Sequence, residues 1–437
     1  MPGELNIQAT LSRNSIPVMN VEQLVYCLLE LRPGETVSTG SNLPLNLCLV
    51  LDRSGSMHGS KIESLRDACS LVLDMLQPHD YISVIAFNSR NEIVFPSQQI
   101  RDESRRSELK AQINRLRADG GTNMAPAMEA GLVELRKQMS VSESPQVNVG
   151  QVNRLVLLTD GITEKEKRCL EQADQAAHIG VPITALGIGK DWNDKLMQTI
   201  GERSGGEADY VSTPEKIRQH FARTVQQMQA VAVQRVSLNL RPSLGIDIRN
   251  TFRVFPLIAR LQPATSPAGA DRAQNVFLGE LERGNGQSVL VEFVVPARPA
   301  GSYRIAQIEI EYDVPQANLT GQRASLDVLL TYSHDPANVS PPDARIMNLV
   351  EKVSAFKLQT RALDDLERGN VQAATQKLRG ALTHLLNQGD TELAATVETE
   401  IANLEKGRMM TSEGRKTIRF ESGKTVRLSQ ESGAKDR

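Results

Sequence analysis

Between Leu43 and Gln229 the sequence alternates short apolar runs with longer segments whose apolar residues recur at helical spacing. The runs LPLNLCLVLD and RLVLLTDG are apolar at nearly every position, so each is expected to be a strand that is buried on both faces. Strands of this kind occur in parallel sheets whose two faces are covered by helices. This stretch therefore predicts a doubly wound, Rossmann-like α/β unit.

The segments between these two runs predict the other elements of the unit. YISVIAF and NEIVF are separated by the turn-prone NSRN and predict a short hairpin, and PITALGIG and EADYV predict two more strands. Helical spacing predicts helices at residues 61–76, 105–115, 124–139, 165–179 and near 193–201, and a long helix after Pro214.

Residues 231–334 show a different pattern, in which apolar and polar residues alternate and Pro or Gly stands at the ends of the runs. This alternation predicts the antiparallel strands of a β-sandwich. The first forty residues carry two similar segments, ELNIQATLS and VEQLVYCLLELRP, and two lone strands cannot bury a face by themselves. We therefore expect them to pair with the later strands, which makes the α/β unit an insertion in a β-sandwich.

The chain is expected to become helical again from Pro341, where apolar residues recur at helical spacing and ERGN and NQGD supply glycines for helix ends. At most two helical-hairpin units are present, too few for a solenoid, so this part is expected to be a small cap or docking surface. The predicted domains are N-terminal sandwich strands (1–40), the α/β domain (41–230), the β-sandwich (231–335), an α-helical hairpin region (341–407) and a basic tail (408–437).

Composition limits the partners and the compartment. The formal net charge is -2, which gives no overall bias toward nucleic acid or an anionic membrane. No uninterrupted apolar run approaches the roughly 20 residues of a membrane helix, and the N-terminus has no pattern of a signal peptide. We expect a cytoplasmic protein that binds neither nucleic acid nor membrane. Its cysteines lack paired spacing and are expected to be buried thiols in a reducing compartment: Cys27, Cys48, Cys69 and Cys169.

Polar residues follow the two most apolar strands at the point where each strand ends. Asp52, Ser54 and Ser56 follow the first strand at alternate positions, and Asp160 follows the second in LLTDG. Thr122 lies in GGTN, just before a predicted helix. Each residue alone could be an ordinary turn or helix-capping residue. Ligand sites of parallel α/β sheets form beyond the carboxyl ends of the strands, so all five residues are expected to meet there.

The residues Asp52-x-Ser54-x-Ser56, the sequence GGTN with Thr122 and the sequence LLTDG with Asp160 occur in this order. Together they resemble the metal-ion-dependent adhesion site of von Willebrand factor A (vWA) domains of the bacterial cytoplasmic type. The resemblance covers roughly residues 43–230. It implies that Ser54, Ser56 and Thr122 bind the ion directly or through water, and that Asp52 and Asp160 act mostly through bound waters. An open coordination position would then attract an Asp or Glu of a partner protein.

The chemistry of the five side chains agrees with this resemblance. All are oxygen donors, and the set contains neither His nor Cys. Oxygen donors favour a hard cation, with Mg²⁺ expected first and Mn²⁺ or Ca²⁺ as substitutes. The resulting interpretation is a non-enzymatic protein–protein interaction module or scaffold, with a vWA domain held in a β-sandwich and no catalytic residue.

Two other interpretations stay open. An Mg²⁺-dependent hydrolase would use Asp52 and Asp160 as acid and base, but no nucleotide-binding glycine motif is present. Ser54 as a nucleophile would need a base, and His58 is expected to be a partly exposed loop residue. By family resemblance, the chain could also be a client-engaging accessory of a separate AAA+ ATPase of the MoxR or chelatase type.

A short unit appears twice in the tail, as KTIRF at 416–420 and as KTVRL at 424–428. The alternating apolar residues fit an extended strand, so the tail is expected to be flexible or to form a β-hairpin that adds to a sheet edge. Phosphorylated threonines could be recognised by a phosphothreonine-reading module. The candidate partner-binding residues of the tail are Thr417, Arg419, Thr425 and Arg427.

Overall fold

The computed structural model describes residues 3–38, 42–139, 150–163, 165–263 and 273–424. The chain divides into two compact units. One comprises 39–234 with 313–320, and the other comprises 1–38, 235–312 and 321–437. Among the helices of the described residues, none has the length and apolarity needed to cross a membrane.

The chain begins with strands that belong to the second of these units. The N-terminal elements are β1 (Leu5–Leu11), β2 (Ser15–Pro17), β3 (Gln23–Pro33) and the short helix α1 (Glu35–Ser38).

The α/β unit follows, and it contains the strands and helices in the order in which the sequence predicts them. Its elements are β4 (Leu45–Asp52), α2 (Ser60–Met75), β5 (Tyr81–Phe87), β6 (Asn91–Gln99), α3 (Glu103–Asn114), α4 (Met124–Arg136), β7 (Val152–Thr159), α5 (Glu166–His178), β8 (Ile183–Ile188), α6 (Asp194–Ser204), β9 (Glu207–Val211) and α7 (Ile217–Ala230).

These six strands form one sheet in the order β6-β5-β4-β7-β8-β9. Only the β5–β6 pair is antiparallel, as a hairpin requires, and the other neighbours are parallel. The chain builds the sheet outward from β4 through β5 to β6, and then returns to the other side of β4 with β7. The strand order therefore reverses between β4 and β7, which is where ligand sites form in sheets of this kind.

The two strands at this reversal are buried along their whole length. Every residue of β4 and of β7 is buried, so helices must cover both faces. On one face α4 approaches the sheet very closely at Gly131, where a Cβ would lie 2.9 Å from Val50 Cγ2 and 3.1 Å from Cys48 Sγ. A side chain at 131 would push the helix away from the central strands.

The Gly-x-Gly of PITALGIG has a packing role. A Cβ on Gly187 would lie 2.2 Å from the ring of Trp192, and Gly189 has the left-handed φ of 69°. The Trp192 indole N–H donates to the Gly189 carbonyl at 2.8 Å. This pair of glycines therefore accommodates a buried tryptophan in the loop after β8.

The strands after the α/β unit and those before it form two further sheets. The later strands are β10 (Val231–Pro242), β11 (Asp247–Phe255), β12 (Ala259–Arg260), β13 (Gln274–Glu282), β14 (Gln287–Val295), β15 (Gly301–Val314) and β16 (Leu319–Ser333). The sheet orders are β1-β3-β14-β11-β12 and β13-β10-β15-β16-β2.

The predicted pairing of N-terminal with later strands is present. Strand β3 lies between β1 and β14, and its register with β14 runs without a break from Leu31↔Gln287 to Gln23↔Val295. The short β2 pairs with the end of β16 in parallel. In the chain, the α/β unit thus lies between β3 of one sheet and β10 of the other. Packing of the two sheets as a sandwich stays a prediction.

The C-terminal region is helical, as predicted, and contains four helices among the described residues. They are α8 (Ala344–Glu367), α9 (Val371–Asn387), α10 (Thr391–Glu405) and α11 (Ser412–Glu421). Each begins at a side chain that accepts a backbone N–H of the first turn, which satisfies one of the unpaired donors of a helix start. The capping residues are Asp343, Asn370, Asp390 and Thr411.

The prediction of an extended strand or hairpin in the tail is wrong for residues 412–421, which form α11. Glu400 of α10 accepts hydrogen bonds from the Thr411 N–H, at 2.9 Å, and from the Thr411 hydroxyl. This contact fixes the start of α11 against α10, and Ile418 is buried in the helical core. The second KT-x-R unit lies outside the described residues apart from its first residue, Lys424.

The position of β3 between two strands predicts a large difference between two leucines of the same strand. Leu29 is fully buried and Leu24 is 40% exposed. Leu29→Ala is expected to destabilise the unit by about 3 kcal/mol, because it leaves a cavity in a packed core. Leu24→Ala is the control and is expected to cost less than about 0.5 kcal/mol. The denaturant concentration at the midpoint of unfolding measures the loss of stability in each variant. Equal midpoints for the two variants would contradict the placement of β3.

Candidate functional site

The site begins at the last residue of β4. The parallel register pairs Leu51 with Leu158, so Asp52 and Thr159 stand side by side where the two central strands end. The Thr159 hydroxyl donates to Asp52 Oδ2 at 2.5 Å, and the Ser54 N–H donates to Asp52 Oδ1 at 2.8 Å. Asp52 therefore links the two strands and turns the loop that follows β4.

Two serine hydroxyls form a hydrogen-bonded connection from the loop after β4 to the loop after β7. Ser54 Oγ lies 3.0 Å from Ser56 Oγ, and the Ser56 hydroxyl donates to Asp160 Oδ1 at 2.7 Å. Ser56 belongs to a short 3₁₀ turn, Gly55–Met57, that connects β4 to α2. The alternate spacing of residues 52, 54 and 56 thus places three oxygen-bearing side chains in one hydrogen-bonded row that ends at Asp160.

Thr122 reaches the same place through the turn before α4. The Gly55 N–H donates to the Gly120 carbonyl at 2.9 Å, which ties this turn to the loop after β4. Thr122 Oγ1 would lie 3.0 Å from a Cβ built on Gly161, the residue after Asp160. The structure therefore brings all five predicted residues together at the carboxyl ends of β4 and β7.

Sequence reasoning missed two residues of this cluster, Thr159 and Lys61. Thr159 is the last residue of β7 and holds Asp52 as described. Lys61 lies in the first turn of α2, and its ammonium forms an ion pair with Asp160 Oδ2 and donates to the Ser56 carbonyl at 3.2 Å. A cation is electrostatically unfavourable at a helix N-terminus, so a lysine at that position was a signal that could have been used.

The cluster is buried at one end and open at the other. Asp52 is fully buried, and Ser54 and Asp160 are almost so, whereas Ser56 is exposed and Thr122 is half-buried. Burial raises the pKa of Asp52, although hydrogen bonds from Thr159 and Ser54 oppose this, and the nearby Asp160 raises it further. Two carboxylates are thus held close together in a place that penalises their negative charge.

The donor set fits a hard divalent cation. It comprises two carboxylates and three hydroxyls, which are the oxygen ligands that Mg²⁺, Mn²⁺ and Ca²⁺ prefer. Among the described residues no group of three or more His, Cys, Asp or Glu could hold a metal ion, so a soft-metal site of the zinc type is absent from that part of the chain. The candidate ligands of this site are therefore all oxygen atoms, and three of the five residues contribute hydroxyls.

His58 is exposed, and its Nδ1 lies 2.9 Å from the Gly55 carbonyl. The Ser54 hydroxyl contacts Ser56, as described above, and this arrangement does not reproduce the serine–base pair of a covalent hydrolase.

The candidate residues of the tail lie in different surroundings. Thr417 is half-buried on α11, and Arg419 of the same helix has a side chain that is only 6% exposed and forms an ion pair with Glu367. Arg419 thus contributes to helix packing and is not displayed on an extended strand as predicted. Thr425 and Arg427 lie outside the described residues.

The raised pKa of Asp52 predicts that Asp52→Asn stabilises the protein when a chelator is present. A carboxyl whose folded pKa exceeds its unfolded pKa contributes stability at low pH and loses it as pH rises through the folded pKa. At neutral pH the variant is expected to gain about 1 kcal/mol, or about 2–4 °C in melting temperature. The gain should disappear as pH falls through the raised folded-state pKa of Asp52, because the wild-type carboxyl then becomes protonated.

A second buried acid supplies the control. Asp80 accepts backbone N–H groups with both of its oxygens, from Leu45 and from Gln77, each at 2.8 Å. An asparagine amide cannot replace the second acceptor, so Asp80→Asn is expected to lower the melting temperature. In Asp52→Asn the new amide can donate a hydrogen bond to the Thr159 hydroxyl, because a hydroxyl can accept a hydrogen bond as well as donate one. Destabilisation by Asp52→Asn as large as that by Asp80→Asn would show that Asp52 has a purely structural role.

Comparisons with known proteins agree with this architecture. The family model described as von Willebrand factor type A domain matches residues 46–227, and the model described as Sll0103-like, C-terminal alpha-helical domain matches residues 344–428. The protein sll0103 of Synechocystis sp. is 28% identical over 394 residues, which cover 88% of this chain and 89% of that protein.

Two solved structures resemble nearly the whole chain. The von Willebrand factor type A protein from Catenulispora acidiphila has a TM-score of 0.77 at 16% identity and covers 97% of both chains. The ArnB paralog VWA2 from Sulfolobus acidocaldarius has a TM-score of 0.59 at 14% identity, with 97% of this chain and 99% of that chain covered. At such identities the likeness describes the fold alone. The central α/β unit of this chain is therefore a von Willebrand factor type A domain, and a Sll0103-like helical domain follows it near the C-terminus.

Proposed function

We propose that the vWA domain binds Mg²⁺ through Asp52, Ser54, Ser56, Thr122 and Asp160, and that it uses the bound ion to engage an acidic residue of a partner protein. Domains of this family commonly mediate protein interactions, which supports a binding role. The observation that carries the proposal is the convergence of five oxygen-bearing side chains, from three separate loops, at the point where the strand order reverses.

The balance of charged and neutral donors supports an ion that recruits a ligand. Three of the five donors are neutral hydroxyls, and the two carboxylates lie at the buried base of the cluster. A divalent ion held mainly by hydroxyls and water keeps much of its positive charge, because hydroxyl ligands do not neutralise it. A carboxylate is the protein side chain that such an ion attracts most strongly.

The surroundings of the cluster favour a protein as the source of this carboxylate. Ser56 is exposed, and Ile162, two residues after Asp160, is 64% exposed. An apolar side chain beside a polar binding centre is typical of protein interfaces, in which buried apolar contacts accompany a few charged ones. The partner segment is therefore expected to present an Asp or Glu next to an apolar residue.

We further propose that the chain is a cytoplasmic, non-enzymatic scaffold. Burial raises the pKa of the Cys27, Cys48 and Cys169 thiols to about 12 and raises that of Cys69 as well. Thiols of this kind are protonated and unreactive at neutral pH, which suits a reducing compartment. The strands and helices outside the vWA domain would supply the framework for further contacts.

Metal titration tests the proposed site. Mg²⁺ or Mn²⁺ titrated into the chelator-treated protein is expected to reveal one site by calorimetry. Thr122→Val keeps the shape of the side chain but removes a donor, so the affinity is expected to fall by about 10–100-fold. Asp52→Asn should also weaken binding strongly, although it stabilises the protein without metal.

A neighbouring threonine provides the control for this titration. Thr163 is buried in the loop after Asp160, and its hydroxyl makes no hydrogen bond within the described residues. Thr163→Val is therefore expected to leave the metal affinity unchanged. Equal affinities for wild type, Thr122→Val and Thr163→Val would refute the assignment of Thr122 as a ligand.

Partner capture tests the second half of the proposal. Proteins retained by the immobilised wild-type chain in Mg²⁺ are expected to be lost in chelator and to be lost equally with Thr122→Val in Mg²⁺. The circular dichroism of the chain should not change with chelator, because the central strands are held by apolar packing. Retention of the same partners in chelator would show that they bind elsewhere.

A further inference from the structure

Lys61 stands at the rim of the proposed metal site and contacts one of its carboxylates. The residue before α2, Gly59, has a left-handed φ of 74°, and this turn brings the first residues of the helix back toward the loop after β4. The Lys61 ammonium forms an ion pair with Asp160 Oδ2 and donates to the Ser56 carbonyl. A lysine in the first turn of α2 is thus directed at the functional cluster.

The ion pair is asymmetric in its exposure. The Asp160 side chain is fully buried, whereas the Lys61 side chain remains 28% exposed. Asp160 also accepts from Ser56 with its other oxygen, so both of its oxygens already have partners. Among the ion pairs of the described residues, Lys61 is the only cation paired with Asp160, and none is paired with Asp52.

A divalent cation and the ammonium group would share the Asp160 carboxylate. Two positive charges a few ångströms apart repel each other, and the repulsion is strong here because the carboxylate that both would contact is buried. The Lys61 stem is flexible and partly exposed, so the ammonium can move away from Asp160 while it stays solvated. Gly189 lies beside the ammonium without a side chain, since a Cβ there would lie 3.9 Å from Lys61 Nζ.

We propose that Lys61 is an internal counter-cation that competes with the divalent ion for Asp160 and so lowers the metal affinity of the site. This inference rests on the metal site proposed above and concerns its regulation. The ammonium neutralises Asp160 when no metal is bound, which limits the cost of two adjacent buried carboxylates. The ammonium would have to leave Asp160 when a metal ion binds, so Lys61 raises the Mg²⁺ concentration at which the site is half occupied.

The proposal predicts that removal of the Lys61 charge lowers the melting temperature of the metal-free protein and raises its affinity for Mg²⁺. Lys61→Met keeps the length of the side chain and removes its charge. In chelator, the variant is expected to melt at a lower temperature than wild type, because Asp160 loses its counter-charge. In a calorimetric titration, it is expected to bind Mg²⁺ about tenfold more tightly, because one repelling charge is gone. Lys61→Arg, which keeps the charge, should resemble wild type in both measurements.

Lys110 supplies a matched control. It forms an ion pair with Asp74 at 2.6 Å and has a side-chain exposure of 29%, close to that of Lys61. Asp74 lies near the other end of α2, about 20 Å from Lys61 along the helix. Lys110→Met is therefore expected to leave Mg²⁺ affinity unchanged.

The outcomes separate this inference from the metal site itself. Unchanged or weaker Mg²⁺ binding by Lys61→Met, with wild-type binding intact, would overturn the competition. If wild type bound neither Mg²⁺ nor Mn²⁺, the proposed metal site would fail and this inference with it. Should Lys61→Met not fold, Lys61→Gln replaces it with the same expectations.

Discussion

The parallel register between β4 and β7 is the constraint on which the site depends. Successive residues of a strand point to opposite faces, so a slip of one residue would move every side chain of β4 to the other face of the sheet. Both strands are buried on both faces and fix this register through packing. The same packing that holds the sheet together therefore places Asp52 beside Thr159, close enough to Asp160 to feel its charge.

Much of the fold and most of the site could be predicted from the sequence, because both rest on local patterns. Apolar runs that are buried on both faces identify β4 and β7, and polar residues directly after such runs identify Asp52 and Asp160. The contacts of Thr159 and Lys61 could not be predicted in this way, since they join residues about 100 positions apart. Their partners depend on strand register and on the direction of a helix axis.

The tail shows why an alternating pattern can mislead. Gly414, Lys416, Ile418 and Phe420 are all buried, and alternate burial is the signature of a strand. In α11 the same residues form two pairs at a spacing of four, and the two pairs lie on opposite sides of the helix, so α11 is covered on both sides. The Thr411 cap and its contact with Glu400 decide between these possibilities, and that contact comes from another helix. A short segment with such a pattern therefore fits either structure until its neighbours are known.

The site has a buried part, which holds both carboxylates, and an open part, which holds two of the three hydroxyls. Asp52 and Asp160 lie where negative charge is penalised, and a protein keeps such groups only where hydrogen bonds or a cation offset the penalty. Ser56 and Thr122 lie where a partner can reach them. In the proposed metal site, the buried part would thus attract the cation, and the open part would give a partner access to it.

The pairing of β3 with β14 has a consequence for the synthesis of the chain. These two strands are about 250 residues apart, and a ribosome adds about 5–20 residues each second. For roughly 13–50 s, β3 emerges without the neighbour that covers its edge, while the α/β segment is made and can already fold. During that interval the apolar strand at residues 23–33 has β1 as its one neighbour in the sheet, so the order of synthesis leaves its other edge open to pairing with other chains unless a chaperone covers it.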